Sequence, residues 1–151
     1  MINDVKVKQI KVFSDDRGFF CEVMKFGEDA FTEIMQTNYT ETHPGVIKAF
    51  HWHRYQADVW FVVSGTAQVV LHDLRLDSST FRQTDVFYMG ENNRLLLLIP
   101  PGVAHGYQVL GEKSVKLFYH ASRVYDPDVS DEERIAFNDP GIGFDWEVKN
   151  R

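Results

Sequence analysis

The sequence predicts an all-β fold, an antiparallel barrel with a mouth for a ligand and a few short helices. From Gly45 onward, short apolar runs alternate with turn residues, which is typical of sandwiches and barrels. All five prolines lie outside the predicted strands, as hydrogen bonding within a sheet requires. A chain of 151 residues fits one domain over residues 1–151.

Five apolar segments are predicted to be strands: residues 59–63, 66–71, 95–99, 107–110 and 115–121. Because only Ser64 and Gly65 separate the first two, we expect them to form a β-hairpin. The third segment is a predicted buried strand that ends at Pro100, and Gly111 lies in the turn between the last two.

Two segments, residues 28–36 and 130–135, are predicted to be helical. In the second, Ser130 is followed by acidic residues, the pattern of a helix N-cap and a first turn stabilised by the helix dipole. We expect this helix to be structural.

Composition excludes several classes of function. The net charge of −6 opposes general binding to nucleic acid, which depends on lysine and arginine. Cys21 is the only cysteine, so an intramolecular disulfide or a thiolate zinc cluster cannot form. No apolar run is long enough to cross a membrane, and the N-terminus lacks the apolar core of a signal peptide. We therefore expect a cytoplasmic protein.

Imidazoles and a carboxylate are concentrated in the stretch HWHRYQADVWFVVSG, residues 51–65. His51 and His53 share one face of a predicted strand. Asp58 begins the next strand, and His105 follows the Pro-Gly turn. Three imidazoles and one carboxylate suit zinc, iron, nickel or manganese. The set HxH, Asp, Gly and PxGxxH resembles the two motifs of the cupin superfamily, with Asp58 where glutamate is usual, which implies a jelly-roll barrel.

Over residues 14–146 the chain also resembles the dTDP-4-dehydrorhamnose 3,5-epimerases, which are themselves cupin-type barrels. The resembling stretches, in the family's order, are DDRGFFCEVM, MQTNYTET, GVIKAFHWH, VVSGTAQVVLHDLRLDSSTF, IPPGVAHGYQVL, FYHASRVYDP and FNDPGIGFDW. The resemblance implies proton removal beside the C4 ketone of a nucleotide-linked 4-keto-6-deoxyhexose and proton return to the opposite face, in deoxysugar or polysaccharide biosynthesis. It implies no cofactor.

The resemblance also assigns catalytic roles. His51 matches the family's base, Asp139 matches the carboxylate that orients it, and Tyr119 matches the acid on the opposite face of the sugar. Such a chemistry needs a base for a carbon-bound proton, a group that stabilises the enolate oxygen, and an acid.

The nucleotide-sugar substrate has its own set of matching residues. They would pair with phosphate, stack on the base and hydrogen bond to its edge. The set comprises Arg17, Phe20, Glu22, Gln36, Asn38, Lys48, His105 and Tyr125. The family buries its exposed early strands in a two-fold dimer that completes the nucleotide site, so a homodimer is expected.

The chain differs from the family at the residues expected to lie next to the C4 ketone of the sugar. Asp58 stands where the family has a lysine near the sugar ketone, and His53 stands where it has a glutamine. An anion cannot stabilise an enolate. The same substitutions complete the cupin-like metal set of His51, His53, Asp58 and His105.

Three hypotheses follow from these substitutions. A divalent cation held by the four residues replaces the lysine as a Lewis acid. Alternatively, His51 and Asp139 work without metal while His53 or His120 donates to the enolate oxygen, giving a single epimerisation or a ketone shift instead of the double inversion. Thirdly, the protein is a non-catalytic sugar-nucleotide binding protein, since a shared fold does not by itself assign function.

Overall fold

The computed structural model describes residues 1–148 of the chain. Within that range it contains twelve strands and one short 3₁₀ helix. The strands are β1 (Lys6–Gln9), β2 (Val12–Asp15), β3 (Gly18–Cys21), β4 (Gln36–Thr42), β5 (Ile47–His53), β6 (Asp58–Ser64), β7 (Thr66–Asp73), β8 (Thr84–Gly90), β9 (Leu95–Ile99), β10 (Val103–Leu110), β11 (Val115–Ala121) and β12 (Glu132–Arg134). The 3₁₀ helix is Pro127–Val129.

Two five-stranded antiparallel sheets form the body of the fold. Sheet I has the order β1-β9-β6-β11-β4, and sheet II has the order β12-β5-β10-β7-β8. Strands β2 and β3 form a separate hairpin. The prediction of an all-β antiparallel barrel is confirmed.

The main core lies between the two sheets. Trp60 and Leu97 from sheet I pack with Val69, Leu71 and Tyr107 from sheet II, and all five are buried. Apolar side chains that meet in this way contribute roughly 1.5–3 kcal/mol each on burial. The packed core fixes the separation of the sheets, and with it the two walls of the cavity described below.

The predicted hairpin at Ser64–Gly65 is wrong. Strand β6 pairs with β9 and β11 in sheet I, whereas β7 pairs with β8 and β10 in sheet II. Gly65 is therefore the corner at which the chain crosses from one sheet to the other. Its φ of +78° and the 2.5 Å that would separate an added Cβ from the carbonyl oxygen of Ser114 both require glycine here.

The two predicted helices are also wrong. Residues 28–35 form a short turn followed by irregular chain, which packs Ala30 and Ile34 onto an apolar cluster that includes Val59 and Phe61 of sheet I, and Gln36 already belongs to β4. Residues 132–134 form β12, which adds to the edge of sheet II beside β5. Tertiary pairing outweighs the weak helix preference of both segments. No helix in residues 1–148 is long and apolar enough to span a membrane.

Candidate active site

A cavity of about 1460 Å³ opens between the two sheets. Side chains from β4, β6 and β11 of sheet I line one side, and side chains from β5 and β12 of sheet II line the other. The loop from Ser122 to Asp131 completes the rim. The cavity is large enough for a ligand of nucleotide-sugar size, because typical small-molecule sites measure about 300–1,000 Å³.

Three histidines and an aspartate converge at the inner end of this cavity. His51 and His53 lie on β5, His105 lies directly opposite His51 on β10, and Asp58 begins β6 in the facing sheet. One ligand atom from each of the four residues lies within 4.8 Å of the others. The prediction that these side chains come together is confirmed; we call them the His/Asp cluster.

The local backbone explains this convergence. The pairing of β5 with β10 shifts register between His105 and Tyr107, so β5 carries one extra residue there. A bulge of this kind re-aims the side chains that follow it, here His51. Gly106 lets the strands approach closely, because an added Cβ would lie 2.3 Å from the Cβ of Ala49.

Asp58 is the charge at the centre of the cluster. Its side chain is buried, and its Oδ2 lies 3.3 Å from His105 Nε2, 3.8 Å from His53 Nε2 and 4.0 Å from His51 Nε2. The Gln56 side-chain amide donates to the other oxygen at 2.8 Å. Burial raises the pKa of Asp58, but the adjacent histidines outweigh burial and lower it to about 2. Asp58 is therefore an anion at neutral pH.

Burial has the opposite effect on the two histidines of β5. It lowers the pKa of His51 well below the usual value, with further lowering by His105, and it lowers the pKa of His53. Both imidazoles are therefore neutral at neutral pH. A neutral imidazole can accept a proton or bind a metal ion.

Tyr119 lines the opposite wall of the cavity, on β11. Burial raises its pKa, and the negative charges of Asp58 and Glu132 raise it further. The hydroxyl is therefore protonated at neutral pH, the form that an acid requires.

Four predicted binding residues also line the cavity: Gln36, Asn38, Lys48 and Tyr125. Gln36 donates to Asn38 at 2.8 Å and accepts the backbone N–H of Tyr125 at 2.9 Å, so these three form one polar patch. Lys48 donates to Thr40 at 3.1 Å, and burial lowers its pKa.

The structure places the other predicted binding residues elsewhere. Arg17 and Phe20 lie on or beside the exposed β2–β3 hairpin and Glu22 just after it, and none of them lines the cavity of its own chain. Arg17 pairs with Asp15, and the Phe20 side chain is 64% exposed. His105 is buried behind His51 as a member of the His/Asp cluster.

The predicted pairing of Asp139 with His51 is not seen in this structure. Asp139 lines a second, smaller cavity with His72 and Ile142, and its Oδ1 accepts the backbone N–H of Gly141 at 2.7 Å. It is tied to its own turn, in which its carbonyl oxygen accepts the N–H of Gly143 at 2.9 Å. The carboxylate that faces His51 is Asp58.

The cavity wall also contains residues that sequence reasoning missed, among them Gln56, Glu132 and Arg134. Glu132 and Arg134 face β5 directly, paired with His53 and His51. The sequence did contain a signal for them: Glu132 and Arg134 are two residues apart, and residues two apart share one face of a strand.

A jelly-roll-like pair of sheets with a deep polar cavity, imidazoles on one wall and a tyrosine on the other, is the arrangement of a cupin-type enzyme. Similarity to known proteins identifies the family within this class.

A family model described as dTDP-4-dehydrorhamnose 3,5-epimerase matches residues 1–151. The chain is 52% identical over 151 residues to the spore coat polysaccharide biosynthesis protein SpsL of Bacillus subtilis, covering 100% of both. It is 32% identical to the dTDP-4-dehydrorhamnose 3,5-epimerase of Salmonella typhimurium, covering 96% of this chain and 82% of that protein. The RmlC epimerase of Legionella pneumophila, solved in complex with dTDP-4-keto-L-rhamnose, has a TM-score of 0.87 at 28% identity, covering 98% of this chain and 81% of that one.

The chain belongs to the dTDP-4-dehydrorhamnose 3,5-epimerase family. The function that the sequence predicts, a sugar-nucleotide epimerase, is confirmed at the level of this family.

Proposed function

We propose that the protein epimerises a nucleotide-linked 4-keto-6-deoxyhexose at C3, C5 or both, in the cytoplasm, during synthesis of a cell-surface polysaccharide. The observation that carries the proposal is the position of His51 and Tyr119 on opposite walls of one cavity, within a chain of this family. The name of the Bacillus subtilis relative supports a role in polysaccharide synthesis.

Inversion at carbon needs proton removal from one face of the sugar and proton return to the other. His51 is the member of the His/Asp cluster with the most access to the cavity, since 30% of its side chain is exposed against 7% for His53 and 2% for His105. Its neutral imidazole is suited to take the proton, and the protonated hydroxyl of Tyr119 is suited to return one. No organic cofactor enters this chemistry.

The nucleotide lies, in this proposal, along the polar patch of Gln36, Asn38 and Tyr125, with Lys48 beside the diphosphate. A lysine provides a point charge for phosphate, without the two-pronged geometry of arginine. Arg17, Phe20 and Glu22 would serve the cavity of a second copy in a homodimer, because their own chain holds them outside its cavity.

Hydrogen exchange tests the proposal directly. The protein is incubated in deuterated water with dTDP- and UDP-linked 4-keto-6-deoxyhexoses, and deuterium at C3 and C5 is followed by NMR. We expect exchange with inversion at one or both carbons, and a loss of at least about 100-fold in the rate of inversion for Tyr119→Phe. The control is Tyr39→Phe, which alters an exposed tyrosine of β4 that does not line the cavity. Binding of the nucleotide sugars without exchange at either carbon would show a binding protein instead.

A further inference from the structure

We infer that the His/Asp cluster binds a divalent transition-metal ion, with His51, His53, Asp58 and His105 as four ligands and the sugar ketone oxygen able to add as a fifth. The inference rests on the proposed function and deepens it, since the ion would polarise the ketone oxygen where the family uses a lysine. With the ion bound, His51 would be a ligand instead of the free base of the metal-free reaction above, and a water in the cavity would take the carbon-bound proton while Tyr119 returns one.

The spacing of the donor atoms fits such an ion. In a four- or five-coordinate site with bonds of about 2.0–2.1 Å, neighbouring donors lie about 2.9–3.4 Å apart. The distances from Asp58 Oδ2 to the three Nε2 atoms are 3.3, 3.8 and 4.0 Å, and all four donor atoms lie within 4.8 Å of one another. Rotation of the side chains that shortens the longest of these separations by about 1.5 Å would close the cluster around one ion, and three nitrogens with one oxygen suit zinc, nickel, iron(II) or cobalt.

The hydrogen bonding of His105 supplies a second, independent observation. Its Nδ1 lies 2.9 Å from the carbonyl oxygen of Val103, which can only accept, so Nδ1 carries the proton. The opposite ring nitrogen, Nε2, points into the cluster. This buried atom has no hydrogen-bond partner and lies 3.3 Å from a carboxylate oxygen.

The Nδ1 bond to the carbonyl oxygen fixes the ring so that Nε2 faces the other three donor atoms of the cluster. A donor bond from the far nitrogen of a ligand histidine to a backbone carbonyl is also the usual outer-shell arrangement of metal sites.

The hydrogen bond from Gln56 to Asp58 also supports a metal site. Gln56 holds Oδ1 of Asp58, which leaves Oδ2 directed at the three imidazoles. The position of Gln56 is therefore that of an outer-shell residue that orients the carboxylate. The same amide lies 3.2 Å from His53 Nε2, a contact that metal binding would displace.

The test uses untagged protein purified without chelator. Elemental analysis should find zinc, nickel, iron or cobalt at close to one ion per chain. After removal of the ion, titration with Co²⁺ should restore binding with visible absorption bands of a low-symmetry nitrogen and oxygen site. Asp58→Asn keeps the shape of the side chain and should weaken Co²⁺ binding by at least about 100-fold, and Gln56→Ala by about 10–100-fold.

The matched control is His72→Asn. His72 is also a buried strand histidine, but it lies on β7 and bonds to Thr84 at 2.8 Å, outside the His/Asp cluster. This variant should bind Co²⁺ as the unchanged protein does. If Asp58→Asn fails to fold, His51→Gln at the more exposed ligand provides the same comparison.

Hydrogen exchange separates this inference from the proposed function. Exchange at C3 or C5 that stops on chelation and returns with Zn²⁺ or Co²⁺ supports both. Metal-free protein with full exchange overturns the metal site and leaves the epimerase. Failure to bind Zn²⁺ and Co²⁺ at neutral pH also overturns it. Tight Co²⁺ binding without exchange on any 4-keto sugar overturns the ion's assigned role, together with the epimerase.

Discussion

The carboxylate of Asp73 has no exposed surface, and it organises the loop that follows β7. Arg75 donates to both of its oxygens, and the hydroxyls of Ser78 and Thr80 each donate to Oδ2 at 2.7 Å. Burial raises the pKa of Asp73, but these hydrogen bonds outweigh burial and hold the pKa well below its usual range. Arg75 also donates to the carbonyl oxygen of Asn3, so the carboxylate indirectly fixes the N-terminal segment.

We expect Asp73→Asn to lower the free energy of unfolding by roughly 3 kcal/mol at pH 7, because it leaves a largely buried arginine with only the exposed carboxylate of Asp4 as its partner. A carboxylate with a depressed folded pKa stabilises the protein above its unfolded pKa of about 3.9 and loses that contribution as the pH falls from there. The difference between the two proteins should therefore shrink below pH 4. Urea unfolding from pH 7 to pH 3 measures it.

Asp77→Asn is the control for this comparison. It makes the same change of charge at an exposed position of the same loop and should alter stability by less than about 0.5 kcal/mol. A loss of stability in Asp73→Asn that is constant over the whole pH range would contradict the assignment.

The His/Asp cluster was predictable at the scale of single residues, and the partner of His51 was not. Alternation along a strand places His51 and His53 on one face whatever the rest of the fold does. The position of Asp139 depends on the path of residues 135–148 across sheet II, where its own turn and the second cavity hold it. The local sequence FNDPG does not determine the route that residues 135–148 follow.

At the scale of elements, the meeting of β5 and β10 determines the site. Gly106 faces the bulge of β5, and a Cβ there would lie 2.3 Å from the Cβ of Ala49 and 2.8 Å from the carbonyl oxygen of Lys48. Neither neighbour is the flexible end of a long side chain. The strands would have to separate, and His105 would move away from His51.

We therefore expect Gly106→Ala to lower stability by about 1–3 kcal/mol, as overpacking does, and to weaken Co²⁺ binding and hydrogen exchange together. Gly111→Ala is the control, since Gly111 follows the far end of β10, has a φ of +73° and has open space around its Cβ position. It should cost about 1 kcal/mol through backbone strain and leave the site intact. Thermal unfolding with Co²⁺ titration distinguishes the two; a stable Gly106→Ala with normal Co²⁺ binding would refute this role.

The strands themselves were easier to predict than their partners. Residues 95–99 and 115–121 are strands with the predicted bounds, because continuous apolar runs between turn residues report burial directly. A glycine turn looks the same whether the chain returns beside the same strand or crosses to another sheet, so Gly65 gave the wrong pairing. The segment 130–135 has the charge pattern of a helix start, and only the free edge of β5 makes it a strand.

Across the whole molecule, the predicted binding residues fall into two groups, one that lines the cavity and one on the β2–β3 hairpin outside it. Gln36, Asn38 and Lys48 line the cavity, but the β2–β3 hairpin leaves Phe13, Phe19 and Phe20 each at least 49% exposed. Exposed aromatic patches of this kind mark interaction surfaces. A homodimer in which each hairpin covers the partner's cavity accounts both for the exposed rings and for the distance of Arg17 from its own cavity.

Mixed dimers test this arrangement. His51→Ala and Arg17→Ala should each lose most hydrogen exchange on a 4-keto sugar nucleotide, one through the cavity and the other through the hairpin. If each site takes its cavity from one chain and its hairpin from the other, a mixed dimer holds one intact site and one doubly altered site. Equal mixtures that are unfolded and refolded together contain half mixed dimers by random pairing, so about a quarter of normal activity should return.

Light scattering should give twice the 17.5 kDa chain mass. A hairpin that serves its own cavity leaves every site in the mixture altered, and then no activity returns.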